Sequence, residues 1–272
     1  MKKIRIIAML FIATLVLVSC QKEDTLDTET VSKEKYPEIA AKLQKMYFSA
    51  EGLEIIDLEL PDGTKQKMFE VEGDMVFSKE HIEKAKVFTD VKQYRAYTIV
   101  TVPWWVGVRT LKIMGYTGGV FALSNKEKTA LRWAVNNYNV LNLRIKFDLS
   151  FGTNLVSQDI VVYRRPNMTG VGGQSGFPSN GDPYKWISIW GLSPFSYNYN
   201  ECVITHHIGH TIGVQHTYST VSCGGSTPIL RGVHIPGTPW GTDLNSIYNP
   251  CCPLGTTGEL SHYDKIALNY LY

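Results

Sequence analysis

Polar and apolar positions divide the chain into four zones. An apolar run, Ile6 to Val18, interrupted only by Thr14, follows three basic residues, Lys2, Lys3 and Arg5. Residues 21–35 are polar and irregular, with the character of a tether. Residues 36–95 are charge-rich: "YPEIAAKLQKMYF" has helical spacing, and "GLEIIDLELPDGTKQKMFEVEGDMVFS" alternates like short strands around a Pro61-Asp62-Gly63 turn. Beyond about Tyr94 lie all six tryptophans and most of the glycines, which marks the main globular unit. There Ser124 and Glu127 make a capping box, and Leu131, Ala134, Val135 and Tyr138 form a helical apolar stripe. Residues 143–150 alternate as a half-buried strand, while 159–164 and 185–190 read as further strands. The glycine-rich stretch between them, "GVGGQSG", lacks phosphate-loop spacing and reads as a loop whose glycines expose backbone beside a substrate. The helix, strand, strand, loop, strand, helix order predicts an α/β layer.

The N-terminus changes the charge picture. Thirteen residues are too few for a stable membrane span but suit a signal-peptide core. The following Leu17-Val18-Ser19-Cys20 resembles a bacterial lipobox, so residues 1–20 are expected to leave as a lipoprotein signal, with Cys20 lipidated and holding the chain to a membrane. Without them the basic count falls from 27 to 24 against 25 acids, a balance that argues against a nucleic-acid partner, which would want a concentrated basic face. The expected location is the cell envelope, where disulfides persist. Cys202, Cys223, Cys251 and Cys252 allow three pairings. Adjacent Cys251 and Cys252 are expected to bond different partners and to tie the C-terminal loops to a helix starting near Cys202. The 21–95 region fits either a pro-like segment over an active site or a small scaffold domain, ahead of a main domain at 96–272.

The chemistry concentrates in "ECVITHHIGHTIGVQH", which carries four of the seven histidines. His206 and His210 are four apart, so on a helix they lie about 40° apart on one face. Gly213 offers a helix exit at positive φ that returns His216 as a third ligand. Three neutral imidazoles and an open position make the catalytic pattern for zinc. His207 sits about 100° round the helix from His206 and fits poorly as a member of the trio, although it leaves open the role of a fourth ligand. Weaker polar candidates are Glu201, Arg231, His234, Asp243, Glu259 and His262, with Tyr218 and Tyr248 as candidate catalytic oxyanion donors.

"HHIGHTIGVQH" resembles the metzincin signature HExxHxxGxxH, and "ITH-IGHTIGxxHT" is especially similar to bacterial HEIGH-type metallopeptidases, lipoproteins related to astacin-like enzymes. "LRWAVNNYNVLNLRIKF" and "GFPSNGDPYKWISI" share that flavour. The resemblance implies an α/β (α+β), metzincin-like fold: a twisted mixed sheet, an active-site helix and an irregular, disulfide-bonded C-terminal half. It implies Zn²⁺ on His206, His210 and His216, an edge strand that aligns peptide, and hydrolysis of extracytoplasmic proteins or peptides. Two positions depart from it: His207 stands where the family carries its catalytic glutamate, and Tyr248 where the methionine beneath the zinc is expected. Imidazole titrates in a suitable range, but a nearby dication disfavours its protonated form. General-base contributions are typically ~10²–10⁴-fold, so the activity is expected to be weak or lost. The alternative is an inactive, zinc-containing surface lipoprotein that binds peptides.

Overall fold

Strand pairing in the computed structural model runs continuously from the charge-rich N-terminal zone into the aromatic-rich one. Residues 35–85, 98–217 and 234–272 are described. The N-terminal zone supplies α1 (Pro37–Lys45), β1 (Glu54–Glu59), β2 (Lys65–Val71), β3 (Met75–Phe77) and α2 (Lys79–Lys84). The Pro61-Asp62-Gly63 turn joins β1 to β2, with Gly63 at φ 82° and the Leu60 N–H donating to Thr64 O at 2.9 Å. The second zone supplies β4 (Arg109–Tyr116), α3 (Asn125–Asn139), β5 (Ile145–Gly152), β6 (Ile160–Arg164), β7 (Gly172–Ser175), β8 (Trp186–Trp190), α4 (Tyr197–Ile212) and α5 (His262–Leu271).

These strands form one eight-stranded mixed sheet in the order β1-β2-β3-β7-β8-β6-β4-β5. The β5-β4-β6-β8 half is parallel, β7 runs antiparallel to β8, and β3 joins β7 in parallel through Met75 and Ser175. Parallel strands need both faces covered, which explains the continuous apolar run of β6. Its Ile160 and Val162 meet the α3 stripe and the Ile204, Ile208 and Ile212 row of α4. Tyr163 points the other way, into a cluster with Leu58, Leu60, Met68 and Val76 of the N-terminal zone. A third cluster, Leu43, Phe48, Phe69 and Phe77, takes in Phe177 from just beyond β7. The N-terminal zone therefore buries apolar surface directly against the rest of the molecule. With its active-site helix and C-terminal disulfide, the arrangement is metzincin-like.

Two local readings are corrected. The glycine-rich stretch contains a strand, β7, because backbone pairing with β8 needs no side chains. Helix α4 begins at Tyr197 rather than near Cys202, under a Ser196 cap whose side chain accepts from the Tyr199 N–H. The α3 capping box forms between Ser124 and Glu127. Cys202 bonds Cys252, and Cys251 is disulfide-bonded as well, so the adjacent cysteines do have different partners. Residues 1–34, with the signal, Cys20 and most of the tether, lie outside the described residues, as do Tyr218, Cys223 and Arg231. Among the described residues no helix is long and apolar enough to cross a membrane.

Helix α4 carries a buried acid. Glu201 accepts from Asn137 Nδ2 at 3.1 Å, and desolvation, reinforced by Glu259, pushes its carboxyl up to about 7. A carboxyl raised on folding favours the native state at low pH, and that advantage is lost as pH rises from the unfolded value through about 7. Glu201→Gln, which keeps the acceptor oxygen, is therefore expected to raise Tm at pH 8 and to change it little at pH 4. Thermal melts across that range check the sign.

Candidate metal centre

Helix α4 ends where the pattern requires. Gly213 adopts φ 111°, its N–H caps Gly209 O and His210 O, and the chain turns back toward the helix. This brings His216 against the face carrying His206 and His210, with the ring centroids of His206 and His210 4.4 Å apart and those of His210 and His216 4.9 Å apart. All three rings are buried.

Each ring is oriented through its Nδ1. His206 Nδ1 donates to Ile247 O at 2.8 Å, and His210 Nδ1 donates to Val214 O at 2.7 Å. His216 Nδ1 donates to Glu72 Oε2 at 3.0 Å. Hydrogen bonding at Nδ1 fixes the tautomer and frees Nε2 for a metal, so three Nε2 atoms face one point. The fourth group there comes from the N-terminal zone. Asp74 Oδ2 lies 3.0 Å from His206 Nε2, 3.0 Å from His216 Nε2 and 3.6 Å from His210 Nε2. The turn between β2 and β3 delivers both acids: Glu72 and Gly73 take φ of 53° and 83°, and Ser49 N–H donates to Glu72 Oε1 at 2.9 Å.

This donor set fits a tetrahedral dication. Ligand atoms about 2.0–2.1 Å from zinc stand roughly 3.3 Å from one another. The observed separations bracket that value, and all four donor atoms lie within 4.8 Å of one another. His210 Nε2 and Asp74 Oδ1 are buried without a hydrogen-bond partner, as expected where a cation completes the bonding. Without metal, burial opposes protonation of His216, but Asp74 and Glu72 outweigh it and lift its imidazole to about 10. Burial, with His206 beside it, lowers His210 to about 4. A His216 proton thus balances Asp74 until a metal displaces it. Asp74, His206, His210 and His216 form a His/Asp metal-binding cluster.

His207 lies outside that cluster. Its ring is packed over β7, where a Cβ on Gly173 would fall 2.5 Å from His207 Nε2, and its Nδ1 is 3.0 Å from Ser175 Oγ. Burial, with His206 beside it, holds its imidazole well below the ordinary range, so the ring is neutral. With His206 and Asp74 it lines an open cavity of about 480 Å³, walled by Gly172, Trp190 and Cys252.

Tyr248 packs beneath the ligands, its ring centroid 6.4 Å from that of His206. Its hydroxyl is turned to Tyr138 OH at 3.0 Å, and Tyr138 in turn donates to Thr205 O at 2.6 Å. A Cβ on Gly209 would lie 2.2 Å from the Tyr248 ring. Gly209→Ala is therefore expected to destabilise the protein by about 2 kcal/mol through overpacking, measured as a lower denaturation midpoint.

The remaining candidates lie elsewhere. Glu201 pairs with Asn137, Asp243 accepts from Ser261, and His234 stacks on Trp240 at 3.9 Å. His262 opens α5, and Glu259 lies in the loop before it. Sequence reading missed Glu72, Asp74, Gly173 and Ser175. The signals were Gly73 in "EVEGDMV", a turn glycine flanked by acids, and the "GVGGQSG" stretch, read as a loop beside a substrate without its individual residues being assigned.

A family model described as the dual-action HEIGH metallo-peptidase matches residues 69–272. The chain belongs to that family. No curated protein matches it. Among solved structures, "Structure of Myroilysin" is 12% identical over 60% of this chain and 80% of that one, with a TM-score of 0.40. "Crystal structure of myroilysin" is 14% identical over 72% of this chain and 98% of that one, with a TM-score of 0.35. The HEIGH family match begins within β2 and so includes Asp74. Family membership and the His/Asp cluster together give this HEIGH peptidase the equipment of a zinc-dependent metalloendopeptidase.

Proposed function

We propose that the chain is a zinc metalloendopeptidase of extracytoplasmic proteins and peptides, anchored through Cys20 and held latent by residues 21–95. The observation that carries this reading is Asp74 at the point where His206, His210 and His216 converge. Three histidines leave zinc a position for water or substrate, whereas a fourth protein ligand makes the closed pattern of structural sites. The same segment lays β3 against β7, with Ser175 N–H donating to Asp74 O at 3.1 Å. It therefore covers the strand edge that an extended peptide would use for backbone pairing.

Zinc, when bound, supplies the positive charge that polarises the scissile carbonyl and acidifies water. The chain's own groups do the rest once Asp74 withdraws. β7 offers backbone for pairing with the substrate. His207, facing the cavity, takes the proton of the attacking water and returns it to the departing amine, while Tyr248 supports the ligand helix from below through Gly209.

A chain lacking residues 1–95 is expected to cleave an unfolded protein, to stop with chelator and to recover with zinc. Cleavage that persists in chelator contradicts the proposal. The second reading, a non-cleaving peptide-binding lipoprotein, is favoured by His207 at the base position. It predicts peptide affinity in the same truncated chain without turnover at any zinc level.

A further inference from the structure

The immediate surroundings of His207 answer a question that its identity alone does not: which ring nitrogen carries the proton. Ser175 Oγ is 3.0 Å from His207 Nδ1 and 3.3 Å from the His207 carbonyl oxygen. A serine hydroxyl has one hydrogen to give and two lone pairs to receive with. If it donates to the carbonyl, it is left to accept, and Nδ1 must be the donor. Nε2 then carries a lone pair, and each of these protons has an acceptor. If the hydroxyl donates to Nδ1 instead, the ring proton sits on Nε2, which has no acceptor among the described residues and is left to the solvent of the cavity. The first arrangement alone satisfies every proton within the chain.

The position of Nε2 follows from β7. Ser175 and Gly173 are two apart on one strand, so they share a face of the sheet, the one that meets α4. Gly173 has no side chain, and the imidazole occupies the space where its Cβ would stand. Glycine makes room for the ring and serine grips one edge of it, so the other edge, with Nε2, lies over Gly173, and both residues line the cavity. Ser175 is wholly buried and has no other side-chain partner among the described residues.

We infer that Ser175 is a positioning residue that locks His207 as the Nδ1–H tautomer and presents an unprotonated Nε2 to the cleft as proton acceptor. The inference rests on the peptidase reading above for the use made of that lone pair, although the tautomer itself does not depend on it. In the reaction, a water hydrogen passes to Nε2 as the water oxygen bonds to the scissile carbonyl carbon and the C=O π pair moves onto the carbonyl oxygen. The resulting imidazolium keeps its Nδ1–H on Ser175 Oγ. It then gives the Nε2 proton to the amide nitrogen as the oxygen's pair re-forms C=O and the C–N pair leaves with the amine, which restores the neutral tautomer. Protons and electron pairs balance without any further reagent. Ser175 touches neither substrate nor water; it acts only through the ring.

The test is ¹⁵N NMR of the full chain with labelled histidine, metal-free and zinc-loaded, which distinguishes protonated from unprotonated ring nitrogens. In the unaltered protein His207 is expected to show a protonated Nδ1 and an unprotonated Nε2. Ser175→Ala is expected to move most of the population to the Nε2–H form, and Ser175→Thr to restore the original pattern. An unaltered protein already in the Nε2–H form overturns the inference without any variant being needed. So does a Ser175→Ala spectrum identical to the original.

Kinetics of the full chain carrying Asp74→Ala supply a second readout. Ser175→Ala is expected to lower kcat about 10-fold at unchanged KM, the scale of losing an outer-shell partner. If no form of the chain cleaves protein, the peptidase reading fails, while the NMR result still decides the role of Ser175.

Discussion

Replacing Asp74 with alanine is expected to raise turnover on an unfolded protein by about 10²-fold while zinc content stays near one per chain. The carboxylate is the sole member of the metal cluster that comes from outside the α4 segment, and its Oδ2 touches two of the three histidines at 3.0 Å. Losing one partner of a buried charged contact costs roughly 3 kcal/mol or more, and 1.4 kcal/mol is a decade in an equilibrium. The three imidazoles keep their own orienting partners and hold the ion, more weakly than before. Asp74→Asn should fall between, since an amide oxygen is a poorer ligand. Activation is also expected to be incomplete, because β3 remains paired with β7. Removing the whole N-terminal zone should therefore exceed the point change. An Asp74→Ala protein that binds zinc and remains as slow as the parent would show that strand pairing alone, or no latency at all, governs the site.

The second large effect is expected from His207→Glu. In the chain lacking residues 1–95 this change is expected to raise kcat by about 10², at the lower end of general-base effects. A carboxylate stays anionic beside a dication, whereas an imidazole must become a cation there. The glutamate does not inherit the grip of Ser175 or fill the space over Gly173, which is why the gain is placed at that lower end. In the full chain the same change should yield little, because Asp74 still closes the metal. Combining it with Asp74→Ala should then give more than the sum of the two separate changes in free energy, as sites sharing one network do. An equal gain in full and truncated chains would mean that Asp74 does not restrain the site.

The legible parts of the sequence are those whose partners lie close in the chain. His206, His210, Gly213 and His216 follow from the helical repeat and one glycine exit, and the Ser124–Glu127 box from three-residue spacing. Strands β5, β6 and β8 declare themselves by alternation or by an apolar run. The contribution of Asp74 was hidden because it meets His206 across 132 positions, and no local pattern encodes such a pairing. Its charge looked like ordinary solvated acid in a charge-rich zone. Strand β7 was hidden for a different reason. Its glycines have low strand propensity, but β8 on one side and β3 on the other hold it, and Gly173 must stay bare for the His207 ring. Strand β4 went unread even though its Leu111 and Ile113 meet the α3 stripe in the core. Tyr248 was placed beneath the zinc by resemblance, and only the fold shows its hydroxyl committed to Tyr138.

X-ray absorption at the zinc edge of the full chain tests the central claim most directly. The account predicts one zinc with three imidazole nitrogens and one carboxylate oxygen at about 2.0–2.1 Å, the oxygen changing character in Asp74→Ala. A spectrum of three imidazoles and water that is identical in the parent and in Asp74→Ala would contradict it.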